Sequence, residues 1–144
     1  MTPDLDLRRT CAVVVGTAGK VLVNGTAAMV PAEYANANLK DVFFNGDVGT
    51  IVGAPVLDAL TILERSTAGA WEQAPNDGIG GRPLSAGWSR FAVGDSGLIV
   101  ERTATAWTLM PNPPAATDLF GVAGARNEVF VVGKAGAIWR YAAP

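Results

Sequence analysis

One short phrase recurs four times along the chain and limits its fold more than any other feature. A run of mostly β-branched and aromatic residues ends in Val-Gly, with the glycines at Gly16, Gly53, Gly94 and Gly133. They are spaced by 37, 41 and 39 residues. In the first, third and fourth copies a second glycine follows after two residues, and another apolar run begins. A period of about 40 residues without a helical pattern indicates one four-stranded β unit per copy.

Other positions fall into the same register and supply further strands. Residues 61–65 and 98–102 have nearly the same sequence, and each is followed by a tryptophan strand, 70–75 and 106–111. The Gly-x-x-Gly sequence suits a tight hairpin between the second and third strands, because glycine accepts a positive φ without steric cost. We therefore predict an all-β fold, a β-propeller or partial propeller with four short antiparallel strands in each blade.

The predicted blades fill the chain as a single domain, residues 1–144. Their approximate bounds are 3–33, 36–75, 82–114 and 116–144. Residues 3–8 are expected to form the first strand of the first blade. The last blade ends in a strand at 138–141 and is one strand short. Residues 75–83, rich in Gly, Pro and Asn, are predicted to be an irregular surface loop of the kind that carries binding specificity.

Other fold classes fit the sequence less well. A β-sandwich also has short strands, but it does not require similar text every 40 residues or so. An α/β fold needs a helical period between strands, and the only candidate, residues 32–40, is short and contains two Asn. The glycines of residues 16–20 are spaced too closely for a phosphate-binding loop.

The ends of such an array raise the question of closure. A blade buries its faces only against its neighbours, so an open array exposes two apolar faces and an unpaired edge. Three arrangements remain open: a small four-bladed ring with one blade of three strands, two copies closing an eight-bladed ring, or a fragment or subunit whose missing strands come from another chain. We expect self-association or another protein chain to complete the propeller.

Composition excludes several classes of function. The chain has no His, one Cys and a net charge of −2, so the sequence predicts no zinc site, no His-dependent nucleophile, no cofactor and no nucleic-acid partner. No apolar run approaches the roughly 20 residues of a spanning helix. The acidic start lacks the basic region of a secretory signal, so we expect a soluble chain that is cytoplasmic or that begins after a removed leader.

The repeat resembles a known family. Its pattern, Leu-x-x-Val, then Val-Gly-x-x-Gly-x-Ile-x-Arg, then Trp, is similar to bacterial propeller repeats of the photosystem II assembly-factor-like and BNR (sialidase-type, Asp-box) proteins. The likeness extends over nearly the whole chain and is closest at residues 117–141. Residues 66–71 keep the Ser, Gly and Trp of an Asp box but lack its Asp, and residues 103–107 lack both Asp and Gly. The resemblance therefore implies a blade with degenerate Asp boxes.

Candidate functional residues are few. Glu64 and Glu101 occupy equivalent positions of two units, as a glycosidase pair would, but each is followed by an Arg, which favours a rim salt pair. Asn76-Asp77-Gly78 lacks the alternating acids of a calcium loop. Aromatic side chains near Arg are typical of surfaces that stack a sugar or grip a peptide. The candidate binding residues are Trp88, Arg90, Trp139 and Tyr141.

The sequence as a whole favours a non-catalytic role. We expect a binding or scaffold module that presents propeller loops to a protein partner or builds a larger assembly, with no catalytic residues. The alternative is a carbohydrate-binding, lectin-like propeller or a degenerate relative of the glycosidases and sialidases.

Overall fold

The computed structural model describes residues 12–65, 69–110 and 116–142. Within these ranges the chain consists of short strands joined by tight turns, with one 3-10 helix of three residues. The strands are β1 (Val13–Val15), β2 (Val21–Val23), β3 (Thr26–Ala27), β4 (Leu39–Asn45), β5 (Val48–Val56), β6 (Ala59–Arg65), β7 (Trp71–Gln73), β8 (Leu84–Trp88), β9 (Phe91–Gly94), β10 (Ile99–Arg102), β11 (Trp107–Leu109), β12 (Leu119–Ala125), β13 (Glu128–Gly133) and β14 (Ile138–Ala142). The 3-10 helix is Ala32–Tyr34. The segments Asp95–Gly97 and Lys134–Gly136 are turns, because Ser96 and Ala135 have positive φ values.

These strands form four antiparallel sheets, which confirms the prediction of an all-β fold. Sheet 1 contains β1–β3, sheet 2 β4–β7, sheet 3 β8–β11 and sheet 4 β12–β14, and within each sheet the strands pair in chain order. Sheets 2 and 3 have the four strands expected of a unit, whereas sheets 1 and 4 show three among the described residues. The strand predicted at residues 3–8 lies outside those residues. No helix in the described ranges is long and apolar enough to cross a bilayer.

The Gly-x-x-Gly sequence folds as a hairpin turn between the second and third strands of the unit. In sheet 4, Ala135 and Gly136 have φ values of 60° and 75°, and the N–H of Ala137 donates to the carbonyl of Lys134 at 3.3 Å. Two consecutive positive φ values define a type I′ turn, whose twist matches that of the flanking strands. The same pair of positive φ values occurs at Ala18–Gly19 and Ser96–Gly97.

The first glycine of the phrase has a different role from the one expected. Gly94 and Gly133 have φ values of −164° and −159°, which any residue adopts, so positive φ does not explain them. A Cβ at Gly133 would instead overlap the carbonyl oxygen of Asp118, just before β12. At Gly94 it would overlap the carbonyl of Pro83, just before β8. Glycine is thus required because two strands approach closely here. The close approach allows the N–H of the next residue, Lys134, to donate to the Asp118 carbonyl at 2.8 Å.

Successive sheets pack face to face and bury three apolar clusters. Strand contacts between different sheets join sheet 1 to sheet 2, sheet 2 to sheet 3, and sheet 3 to sheet 4. Between sheets 1 and 2 lie Val21, Tyr34, Leu39, Ile51, Leu63 and Trp71. Between sheets 2 and 3 lie Phe43, Val52, Leu60, Ile62, Leu84, Ala92, Leu98, Val100 and Trp107. Between sheets 3 and 4 lie Phe91, Val93, Ile99, Met110, Leu119, Val129 and Val131.

At two junctions, an aromatic ring on the first strand of one sheet packs against a glycine on the first strand of the next sheet. The ring of Phe43 occupies the space that a Cβ on Gly87 would need. One junction further on, the ring of Trp88 lies 2.7 Å from the position of a Cβ on Gly124. Because an added methyl group has no room at either glycine, these positions set how closely the sheets approach.

Residues 75–83 form an irregular surface segment, as the sequence predicts, and backbone hydrogen bonds hold it in place. The carbonyl of Pro75 accepts from Trp107 N–H at 2.9 Å, and Asp77 N–H donates to the Trp107 carbonyl at 3.1 Å. Gly81 N–H donates to the carbonyl of Asp58 at 2.8 Å, while Ile79 packs on the cluster between sheets 2 and 3. The segment therefore joins both sheets through backbone hydrogen bonds, which residue types alone do not reveal.

Candidate functional site

The polar side chains that the sequence analysis named as candidates, Glu64, Arg90 and Glu101, lie at one end of the sheets. Each of sheets 2, 3 and 4 places the turn between its first two strands at this end, at residues 45–48, 88–91 and 125–128. The turn between β10 and β11 lies there too, because it follows two further antiparallel strands. The Oγ of Ser89 lies 3.5 Å from Oδ1 of Asn45, which aligns the turns of sheets 2 and 3. We call this end the rim.

One rim cleft lies between sheets 2 and 3. It has a volume of about 430 Å³ and is lined mainly by polar and charged residues. Its lining residues are Asn45, Val48, Glu64, Arg65, Glu72, Gln73, Pro75, Arg102, Thr103 and Ala104. A cleft with both cations and carboxylates presents complementary partners to a polar ligand that carries either charge.

Glu64 forms one wall of this cleft and connects the two sheets. Nε and Nη2 of Arg102 donate to its two carboxylate oxygens at 2.7 and 3.1 Å, and Nε1 of Trp107 donates to Oε2 at 3.0 Å. The side chains of Glu64 and Arg102 are 15% and 21% exposed. Both carboxylate oxygens are therefore occupied by donors from sheet 3, and the residue acts as a clamp between sheets.

Glu101 is held by a different partner. Its Oε2 lies 3.0 Å from Nε of Arg90, one of the predicted binding residues. Glu64 and Glu101 thus each pair with an Arg that is not their sequence neighbour: Arg102 for Glu64 and Arg90 for Glu101. The arrangement is a set of rim ion pairs, in which the carboxylates hold strands together.

A smaller rim cleft lies between sheets 3 and 4 and contains two of the predicted binding residues. It has a volume of about 110 Å³, and Trp88 and Arg90 line it together with Arg126 and Asn127 of the turn after β12. Arg126 and Asn127 are exposed. The guanidinium of Arg90 also stacks over the ring of Phe91, 5.4 Å from its centroid, which fixes its direction at the cleft.

Trp139 and Tyr141 belong to the same junction but to its apolar side. Their rings stack, with centroids 5.8 Å apart and an interplanar angle of 23°. Tyr141 also meets the ring of Phe91 edge-on at 6.0 Å. Both residues are half-buried against the cluster between sheets 3 and 4. The structure thus brings all four predicted residues to one junction, where Trp88 and Arg90 line the cleft and the other two pack beneath.

Sequence reasoning missed Arg126 and Asn127. The signal that could have found them is the repeat itself, because residues 125–128 occupy the turn that residues 88–91 occupy one unit earlier. A polar pair at that turn is therefore close to Arg90. Cys11 lies outside the described residues. Within them no group of three or more His, Cys, Asp or Glu side chains is placed to hold a metal ion.

Comparison with known proteins adds no relative: no protein-family model, no curated protein and no solved structure matches the chain.

Proposed function

We propose that the chain is a non-catalytic binding or scaffold module whose four sheets are blades of a β-propeller, and that its rim presents turns to a protein partner. The observation that carries the proposal is the repeated junction. Each pair of consecutive sheets buries one apolar cluster, and sheets 2, 3 and 4 place their first turns at the same rim. A rigid framework with exposed turns at one end is the usual design of a binding scaffold.

The sequence resemblance points in the same direction. The repeat is similar to assembly-factor-like and BNR propeller repeats, and its Asp boxes are degenerate at residues 66–71 and 103–107. The carboxylates of the rim support a non-catalytic role as well, since Glu64 and Glu101 hold Arg102 and Arg90.

The test is a binding measurement with a rim variant and a matched control. A partner captured by the immobilised chain is purified and titrated by calorimetry against the wild type, a double variant Arg126→Ala/Asn127→Ala, and Lys134→Ala. All three substituted residues are exposed on sheet 4, but Lys134 lies in the turn at the opposite end from the rim.

We expect the rim variant to weaken partner binding about tenfold or more, the loss of a few polar contacts, and Lys134→Ala to leave it unchanged. Equal affinity for the rim variant and the wild type, or the lack of any partner that binds with defined stoichiometry, would contradict the proposal.

The small cleft between sheets 3 and 4 favours a second candidate, carbohydrate recognition. An aromatic ring next to Arg and Asn side chains is suited to stacking a sugar and binding its hydroxyl groups, and Trp88, Arg126 and Asn127 provide these groups. A glycan array decides between the candidates. Binding of one glycan class that the Arg126→Ala/Asn127→Ala variant loses, and that Lys134→Ala keeps, would favour the carbohydrate function over the protein partner.

A further inference from the structure

Both faces of sheet 4 carry apolar side chains, but only one face is buried. Along β13 the burial alternates: Val129 and Val131 are 3% and 1% exposed, whereas Phe130 and Val132 are 42% and 44% exposed. Val132 pairs with Ile138 of β14, which is 75% exposed. Residues opposite each other in an antiparallel pair point to the same side of a sheet. Phe130, Val132 and Ile138 therefore form an exposed apolar patch on one face, which we call the trailing face. Arg140, opposite Phe130, lies on the same face.

The same positions one unit earlier are completely covered. Phe91, Val93 and Ile99 stand 39 residues before the three members of the trailing face, and their exposed fractions are 3%, 0% and 2%. What covers them is the other face of the next sheet, including Val131, Trp139 and Tyr141. The trailing face is thus the surface that, one junction earlier, lies against a following sheet.

Sheet 1 shows the opposite pattern. Val14 is 58% exposed, while Val13 and Val15 pack on the cluster between sheets 1 and 2. Val14 precedes the first glycine of its unit by two residues, as Val131 does in sheet 4, where the residue is 1% exposed. Val14 is paired with Leu22, which shares its side of the sheet. We call the side defined by Val14 and Leu22 the leading face.

The two faces are the two halves of one junction. In the junction between sheets 3 and 4, the trailing side of one sheet meets the leading side of the next, and both are apolar. Within the described residues, sheet 4 exposes the first half and sheet 1 exposes the second. A continuous apolar run such as Phe130-Val131-Val132 is typical of a strand buried on both faces, so the sequence of β13 suits a covered trailing face.

We propose that the trailing face of one chain docks on the leading face of a second copy and repeats between chains the junction of sheets 3 and 4. This inference rests on the proposed propeller architecture. The two halves differ, so the contact is head-to-tail, and two such contacts close a ring of two chains. The second copy is the occupant that the chain itself specifies, because the chain carries both the face that needs cover and the face that provides it.

The experiment measures molecular mass in solution by light scattering over a range of concentrations. Three lysine substitutions are compared with the wild type: Ile138→Lys on the trailing face, Val14→Lys on the leading face, and Leu57→Lys as the control. Leu57 is 88% exposed at the tip of the turn between β5 and β6, remote from both faces. All three residues are exposed within one chain, so each variant is expected to fold, and circular dichroism verifies it.

We expect the wild type to reach 29.8 kDa, twice the 14.9 kDa of one chain, and the control to match it. Each face variant is expected to raise the dissociation constant about 100-fold or more, because an ammonium group would be buried without a partner. A mixture of Ile138→Lys and Val14→Lys is expected to recover association, since each variant keeps the half that the other lacks.

Three results would overturn the inference. They are a wild type that stays at 14.9 kDa at all concentrations, a Val14→Lys variant that pairs as well as the wild type, and a mixture that shows no association. The first of these, together with intact partner binding that depends on Arg126 and Asn127, would refute the pairing of chains and leave the proposed function in place. If the chains pair but partner binding does not depend on Arg126 and Asn127, the proposed function fails and the pairing of chains stands.

Discussion

Glu64 is the clearest case of a single residue that holds two sheets together. It accepts three hydrogen bonds from Arg102 and Trp107, and its side chain is largely withdrawn from water. We expect Glu64→Ala to lower the free energy of unfolding by about 2–3 kcal/mol, because a guanidinium and an indole N–H would lose their acceptor in a half-buried site. Denaturant unfolding measures the change.

The control is a solvent-exposed ion pair of the same type, measured in the unassociated chain. Glu128 and Arg140 are 3.2 Å apart, with side chains 46% and 65% exposed. Exposed pairs contribute between zero and about 1 kcal/mol, so Glu128→Ala should cost less than 1 kcal/mol. If the two variants lose equal stability, the clamp between sheets 2 and 3 does not operate as described.

The preceding junction lacks this clamp. Trp71 occupies the position of Trp107 one unit earlier, and its Nε1 is buried without an acceptor. The position equivalent to Glu64 is Val23, since both stand opposite the residue three before the first glycine of their unit. We expect Val23→Glu to give the indole N–H an acceptor and to raise the free energy of unfolding by about 1 kcal/mol. Thermal unfolding measures the change, with Val23→Leu as the apolar control. If Val23→Glu is no more stable than Val23→Leu, the Glu side chain does not accept a hydrogen bond from the indole.

Tyr34 couples the first junction to pH. It is 2% exposed, and burial, with a smaller effect of the Glu33 carboxylate, raises the pKa of its hydroxyl above the ordinary 10.0. The folded chain then keeps this proton when the unfolded chain releases it. Its contribution to stability is complete below pH 10.0 and declines as the pH rises above that value. The free energy of unfolding of Tyr34→Phe should fall less steeply over this alkaline range than that of the wild type; identical slopes in denaturant titrations would contradict it.

At the scale of the hairpin, the two glycines of one Gly-x-x-Gly sequence, Gly133 and Gly136, have different structural roles. Gly133 allows a strand to approach the carbonyl of Asp118, whereas Gly136 supplies a positive φ in open surroundings. We expect Gly133→Ala to cost about 2–3 kcal/mol, since the backbone of two strands must move. Gly136→Ala should cost only about 1 kcal/mol of backbone strain. Denaturant unfolding of both variants tests the order, and a larger loss at Gly136 would reverse our assignment.

The hairpins also show how far a local pattern predicts an element. The spacing of the glycines predicts a tight hairpin here, and Ala135 and Gly136 form its turn. The role of Gly133 was not predictable in the same way, because its neighbour Asp118 comes from the preceding strand and the glycine itself has extended backbone. The type of a residue indicates which φ values it adopts easily. It does not indicate which strand, distant in sequence, will pack closely against that residue.

At the scale of the whole molecule, stability is expected to decrease from the middle sheets to the outer ones. In sheets 2 and 3 the central strands are buried on both faces, as the burial of β5 and β9 shows, whereas β13 and β1 alternate. Local opening requires less free energy where fewer apolar contacts break. In the single, unassociated chain, amide hydrogen exchange should therefore be slowest in β5, β6, β9 and β10 and faster in β1 and β14. Uniform protection over all four sheets would contradict this order.

The sequence by itself determined the all-β class, the four copies of the repeat and the hairpin turns at the three Gly-x-x-Gly sequences. These properties follow from a period of about 40 residues and from glycines that form a turn within four consecutive residues. Only the tertiary structure decided which faces meet, that Glu64 pairs with Arg102 and Glu101 with Arg90, and that Arg126 and Asn127 join Trp88 at one cleft. The physical reason is range. A strand and its turn depend on neighbours in the chain, whereas a contact between sheets depends on how two separately formed surfaces pack.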